Sequence, residues 1–72
     1  MNVASTMQIT VNGTLRDVPD GMTVRALVVH LGFTDGPVAV EINGAVVPRS
    51  DHVTHPMVTG DIVEIVHFVG GG

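Results

Sequence analysis

Two Asn-Gly pairs, Asn12-Gly13 and Asn43-Gly44, constrain this chain of 72 residues more than any other feature. A two-residue type I′ turn needs positive φ at both central positions, and Asn followed by Gly tolerates that best. Apolar residues alternate on either side of each pair, so each predicts a β-hairpin. Ahead of the first, Met7-Gln8-Ile9-Thr10-Val11 carries its apolar residues on odd positions, as a half-buried strand does. The return strand, residues 14–18, is less regular, because Leu15 and Val18 cannot share a face without a bulge or an early strand end. Ahead of the second pair, Val38, Val40 and Ile42 alternate with Ala39 and Glu41. Ala45-Val46-Val47 then returns and Pro48 closes the strand.

Between the hairpins lies one helix. Pro19-Asp20-Gly21 is a turn, and the Thr23 hydroxyl can accept from an unpaired amide of the first helical turn. Val24, Leu27, Val28 and Leu31 fall at i, i+3, i+4 and i+7 and make one apolar stripe, with Arg25 and His30 off it. Gly32 supplies the left-handed residue that ends the helix, and Phe33 can fold back onto its last turn. A loop through Gly36-Pro37 leads to the second hairpin. Residues 49–58 are irregular, broken by Pro56, with one helical turn expected near residues 50–53. Gly60-Asp61 turns the chain into residues 62–69, the most apolar segment. Its lack of clean alternation suits a central strand covered on at least one face.

The order is strand, strand, helix, then three strands. So apolar a last strand belongs in mid-sheet, beside the first, with the helix stripe crossing one face. That predicts an α+β fold, the ubiquitin-like β-grasp: a mixed sheet of about five strands with one main helix packed across it. Residues 1–6 read as a loose leader, 7–69 as the domain and 70–72 as a flexible glycine tail.

Composition narrows the functions. One domain of this size is near the lower limit for a single core. It has no Cys, Trp or Tyr, so the core is built from Val, Ile, Leu and Met, and thiol chemistry and disulfides are excluded. At 44% apolar, part of that surface should remain exposed as a docking patch. A net charge of −4, with Arg16, Arg25 and Arg49 as the three basic residues, argues against nucleic-acid partners. No run is long enough to span a bilayer and no signal segment opens the chain, so a cytoplasmic protein without membrane partners is expected. His52-x-x-His55 has ligand-like spacing, but no third ligand or rigid frame accompanies it, and no metal is assigned. His30 and His67 read as exposed positions. Asp17, Asp20, Asp35 and Asp51 fall in turns or at strand ends. No Ser-His-Asp or paired-carboxylate grouping stands out, and the chain is too small to enclose a substrate. An enzyme is not expected.

The segment that carries chemistry is then Phe68-Val69-Gly70-Gly71-Gly72, read as ending in a free carboxylate. Glycines can enter a slot too narrow for other residues. Three of them, fully extended, reach only about 10 Å, so a slot that receives them must come close to the body. By itself such a tail reads first as a frayed, unimportant end. Val66 and Phe68 share with Glu64 the side of the last strand that Val63 and Ile65 do not use. Val66 and Phe68 are candidates for a partner contact, with Arg49 as a polar rim anchor. Core filling by Phe68 and a solvated surface position for Arg49 are the plain alternatives.

Several motifs resemble one family. Val47-Pro48-Arg49-Ser50, the turn Gly60-Asp61, and Val63-Glu64-Ile65-Val66 followed by Val69-Gly70-Gly71-Gly72 are similar to the ThiS sulfur carriers of thiamine biosynthesis. The likeness covers residues 7–72 and includes Thr23-Val24 at the helix start. A Gly-Gly end is common to all ubiquitin-like carriers; the combination with the other two motifs is far more specific. The tail has one glycine beyond the minimum, so the reactive pair maps to Gly71 and Gly72, with Gly70 as spacer. The resemblance implies a protein cosubstrate. A ThiF-type enzyme, using its own ATP, would adenylate the Gly72 carboxylate. Sulfur from a cysteine desulfurase or another donor would replace the adenylate, leaving a thiocarboxylate, and thiazole synthase (ThiG) would take that sulfur into the thiazole ring. No bound cofactor is implied. With no cysteine, a persulfide cannot form on this chain, and the C-terminus is the one place for sulfur. The small subunit of molybdopterin synthase donates sulfur in the same way, but usually runs longer and has prolines before its tail, unlike His67-Phe68-Val69. Other thiocarboxylate carriers, a protein modifier and a plain β-grasp interaction domain are further alternatives.

Overall fold

Both Asn-Gly pairs turn the chain as their chemistry demands: Asn12 and Asn43 have φ of 49° and 52°, and Gly13 and Gly44 both 84°. The computed structural model describes residues 5–34 and 36–68. Strands β1 (Thr6–Val11) and β2 (Thr14–Pro19) form the first hairpin, helix α1 spans Val24–His30, and β3 (Val38–Ile42) and β4 (Ala45–Val47) form the second hairpin. A 3-10 turn over Arg49–Asp51 and the last strand, β5 (Ile62–His67), complete the domain. The sheet order is β2-β1-β5-β3-β4, with β1 and β5 parallel and the other neighbours antiparallel. This is the β-grasp.

Departures from the sequence reading have simple causes. Thr6, expected in the leader, is the first residue of β1 and pairs with Pro19. Residues 1–4 lie outside the described part. No bulge reconciles Leu15 with Val18. The register is regular, Val18 opposite Met7 is buried, and Leu15 opposite Thr10 is left exposed on the other face. The helical turn after β4 starts at Arg49, one residue earlier than expected. β5 does alternate: Val63 and Ile65 are buried, while Ile62, Glu64 and Val66 are exposed. Its continuous apolar run therefore serves two faces, of which the helix covers one.

Helix α1 has seven residues, far too few to be stable alone. Its start is held from outside. Thr23 Oγ1 accepts from Ala26 N at 3.2 Å, and the Val24 and Arg25 amides donate to the carbonyls of His55 and His52 at 2.9 and 2.8 Å. These bonds satisfy amides that a helix leaves open. At the other end, the Phe33 and Gly32 amides donate to Val28 and Val29, and Gly32 has φ 84°, the Schellman arrangement. Val24, Leu27 and Val28 enter a core shared with Met7, Ile9, Val11, Val18, Val40, Ile42, Val47, Met57, Val63 and Ile65. His52 is buried beneath this irregular segment, with Nε2 3.0 Å from the Val47 carbonyl. A carbonyl only accepts, so Nε2 carries the proton. That ring thus bonds to the backbone, and the His52-x-x-His55 spacing is structural.

The two turn asparagines do more than turn. The ladder between β1 and β5 ends at Val11 opposite Val63, and there the Asn12 side chain takes over. Its Oδ1 accepts from Ile65 N at 2.8 Å and its Nδ2 donates to Ile65 O at 3.2 Å. At the start of β5, Asn43 Oδ1 accepts from Ile62 N at 2.9 Å, and Asn43 Nδ2 donates to Asp61 Oδ1 at 3.0 Å. The second carboxylate oxygen of the buried Asp61 accepts from Val58 N at 2.9 Å. One carboxamide from each hairpin therefore fastens the central strand. Asn12→Gly, which keeps the turn but deletes two bonds to β5, should lower unfolding stability by about 1–3 kcal/mol in urea denaturation. Turn chemistry alone would make that change neutral. Leu27→Ala, at a fully buried position, should cost about 2–5 kcal/mol in the same measurement.

Candidate functional site

The central strand ends against a loop. Just beyond β5, the Phe68 amide donates to the Pro37 carbonyl at 3.0 Å. At the carbonyl of the same residue, Gly36 has φ 94°, and a Cβ there would lie 2.5 Å from the Phe68 oxygen. Real Cβ atoms do not approach a backbone oxygen so closely, and side chains rarely adopt that φ. Only glycine fits. The Pro37 carbonyl thus holds the Phe68 amide, and the Phe68 carbonyl lies close against the Gly36 backbone. The tail residues Gly70, Gly71 and Gly72, with Val69, lie outside the described residues.

Beside this exit the sheet presents an open face. Val66 and Phe68 are 53% and 54% exposed, so Phe68 does not fill the core. Val46 and Ile62 are exposed too. Ala39 lies directly opposite Val66, and Glu41 directly opposite Glu64. Two like charges facing each other across a ladder repel, and here they stand amid exposed aliphatic side chains. His67, expected to be exposed, is half-buried, with its ring tilted against Phe33 at a centroid distance of 5.3 Å. His30 is exposed.

Arg49 follows β4 and belongs to no strand of the sheet. It starts the 3-10 turn and lines a cleft of about 210 Å³ with Arg25, Phe33, Gly36, Val38, His52 and Val53. Gly36 is common to this cleft and to the exit. A larger cleft of about 400 Å³ lies near the start of β5, with Ile42, Asn43, Val46, His55 and Asp61 among its walls. Among the described residues no group of three His, Asp or Glu side chains is placed to hold a metal ion. Reading the sequence missed Gly36. The signal was present as Gly-Pro in the loop, but its partner is more than thirty positions away, and no local rule points there.

Comparison with known proteins agrees with this geometry. The family model described as the ThiS family matches residues 9–72. A crystal structure of a thiamine biosynthesis protein (ThiS) from Geobacter metallireducens is 35% identical, with a TM-score of 0.77, covering 92% of this chain and all of that one. A solution structure of a thiamine biosynthesis protein from the same organism gives 35% identity and a TM-score of 0.74, covering 92% of this chain and 88% of that one. Two curated thiazole synthases, from Paramagnetospirillum magneticum and Magnetococcus marinus, are 42% and 41% identical over 66 residues, 92% of this chain. The chain spans only 20% of their length. With the family model matched from β1 into the glycine tail, and a solved ThiS covered over its whole length, the chain belongs to the ThiS family.

Proposed function

We propose that this protein is a sulfur carrier of thiamine biosynthesis, a cosubstrate on which enzymes act. The observation that carries this reading is the Phe68 amide bonded to Pro37, with Gly36 close against the Phe68 carbonyl, in a ThiS-family domain just before a glycine tail. The reactive group is the Gly72 carboxylate, with Gly71 passing the enzyme's slot and Gly70 as spacer. A carboxylate is a poor electrophile because oxide does not leave. Attack of its oxygen on the α-phosphorus of ATP expels pyrophosphate and forms the acyl-adenylate; a sulfur nucleophile then displaces AMP. Where that nucleophile is the terminal sulfur of a donor persulfide, it bonds the Gly72 carbonyl carbon, and a thiol reductant then cleaves the remaining S–S bond to free a soft thiocarboxylate, ionised at neutral pH.

ATP belongs to the partner, a ThiF-type adenylating enzyme, and the sulfur comes from a cysteine desulfurase or another donor. Thiazole synthase (ThiG) is the receiver. Support for it comes from the curated relatives, whose name is thiazole synthase and which contain a segment like this chain. Val66 and Phe68 form the apolar contact beside the exit, and Arg49 contributes from the neighbouring cleft. Among the described residues no helix is long and apolar enough to cross a membrane, and the cytoplasm is where we place this chemistry.

Deleting Gly71 and Gly72 should leave the thermal melt unchanged and abolish rescue of a thiamine-requiring strain that lacks its carrier. Loss of the fold, or continued rescue, would speak against the tail as the reactive group. Gly36→Ala and Gly21→Ala form a matched pair. Both glycines have positive φ, but a Cβ at Gly21 meets nothing within 4 Å. Both variants should lose about 1–2 kcal/mol to left-handed strain, and Gly36→Ala should lose more through its clash with the Phe68 carbonyl. Only Gly36→Ala should also slow processing of the tail, by about tenfold, because displacing Phe68 misaims the carboxylate.

A further inference from the structure

The chain carries a net charge of −4 and three basic residues, yet Arg25 and Arg49 line the same cleft. The fold brings them there. The Arg25 amide donates to the His52 carbonyl at 2.8 Å, and the His52 amide to the Arg49 carbonyl at 3.2 Å, so the three backbones are tied in series. Among the described residues no Asp or Glu lines the cleft, and neither arginine has an ion pair. Two cationic side chains on the walls of one cleft both attract an oxyanion that enters it. The planar fork of each matches a carboxylate or phosphate.

Size and position select among oxyanions. At about 210 Å³ the cleft is smaller than the roughly 300–1,000 Å³ that enclose a drug-sized ligand, so a nucleotide does not fit. One carboxylate does. Phe33, Val38 and the exposed Val53 supply apolar walls for the stem of an acidic side chain. Gly36 makes the cleft adjoin the tail exit. A protein that grips a tail of about 10 Å must lie against that end of the domain. We propose that Arg25 and Arg49 form a cationic notch that receives an Asp or Glu side chain of the protein handling the tail; the identity of that protein rests on the carrier reading above.

Two measurements test this, with melts confirming that each variant folds. In the first, the arginine side-chain N–H resonances of the native chain are titrated with acetate and, separately, with inorganic phosphate. Arg25 and Arg49 should shift together with both, while Arg16, exposed on β2, should not. No shift, or equal shifts at all three, overturns the notch. Asp35 lies outside the described residues, so Asp35→Asn is included. If that change alone moves the Arg25 and Arg49 signals without added anion, Asp35 is the occupant and the proposal fails. In the second, the adenylating enzyme is assayed with the double variant Arg25→Gln, Arg49→Gln. The KM for the carrier should rise about tenfold at unchanged kcat, with a shallower dependence on salt, and Arg16→Gln should leave both unchanged. An unaltered KM, or an equal effect of Arg16→Gln, overturns partner docking even if phosphate binds. Should no adenylating enzyme act on the native chain, the carrier reading fails, and the titration still decides whether the notch binds oxyanions.

Discussion

The rest of the structure depends on the anchoring of β5 in mid-sheet. It pairs in parallel with β1 and antiparallel with β3, although both of those strands turn away from it at an Asn-Gly corner. At each corner the asparagine carboxamide reaches across and bonds the β5 backbone where strand pairing has ended. A glycine in that position would turn the chain equally well and would leave those backbone groups to solvent. The sidedness of β5 follows from this registration. Val63 and Ile65 are held against the helix, so Ile62, Glu64 and Val66 must face outward.

That sidedness is what couples fold to function. An outward aliphatic stripe on a strand locked at its start, along its length and just beyond its end gives a rigid platform whose terminal direction is set. Pro37 completes it by accepting from the Phe68 amide, with Gly36 lying close against the Phe68 carbonyl. Free glycines lose much entropy on entering a slot, and a fixed root limits that loss to the tail itself. The proposed carrier role asks for a fixed root at Phe68, which the bond to Pro37 supplies.

Much of this was legible in the sequence because it follows from short-range rules. Two Asn-Gly turns, the Thr23 cap, the four-residue stripe and the Gly32 stop are each decided within a few positions, and together they dictate the strand order. What escaped depends on contacts distant in sequence. Leu15 looked like a core residue with faulty phase, but regular pairing with Thr10 sends it outward. His67 looked exposed, but Phe33 covers it. The hydrogen bonds of Asn12 to Ile65, and the approach of Gly36 to Phe68, join positions that no periodicity relates. Arg49 shares a cleft with Arg25, a neighbour that no local spacing indicates.

The central claim is that sulfur is carried on the Gly72 carboxylate, and intact-mass analysis tests it most directly. The chain is incubated with ATP, a sulfur donor and the adenylating enzyme, and both the whole protein and its C-terminal fragment are weighed. The expected result is a gain equal to the difference between one sulfur and one oxygen atom, confined to the fragment holding Gly72 and absent without ATP. An unchanged mass with an enzyme shown to be competent on another carrier, or a gain located elsewhere in the chain, would contradict it.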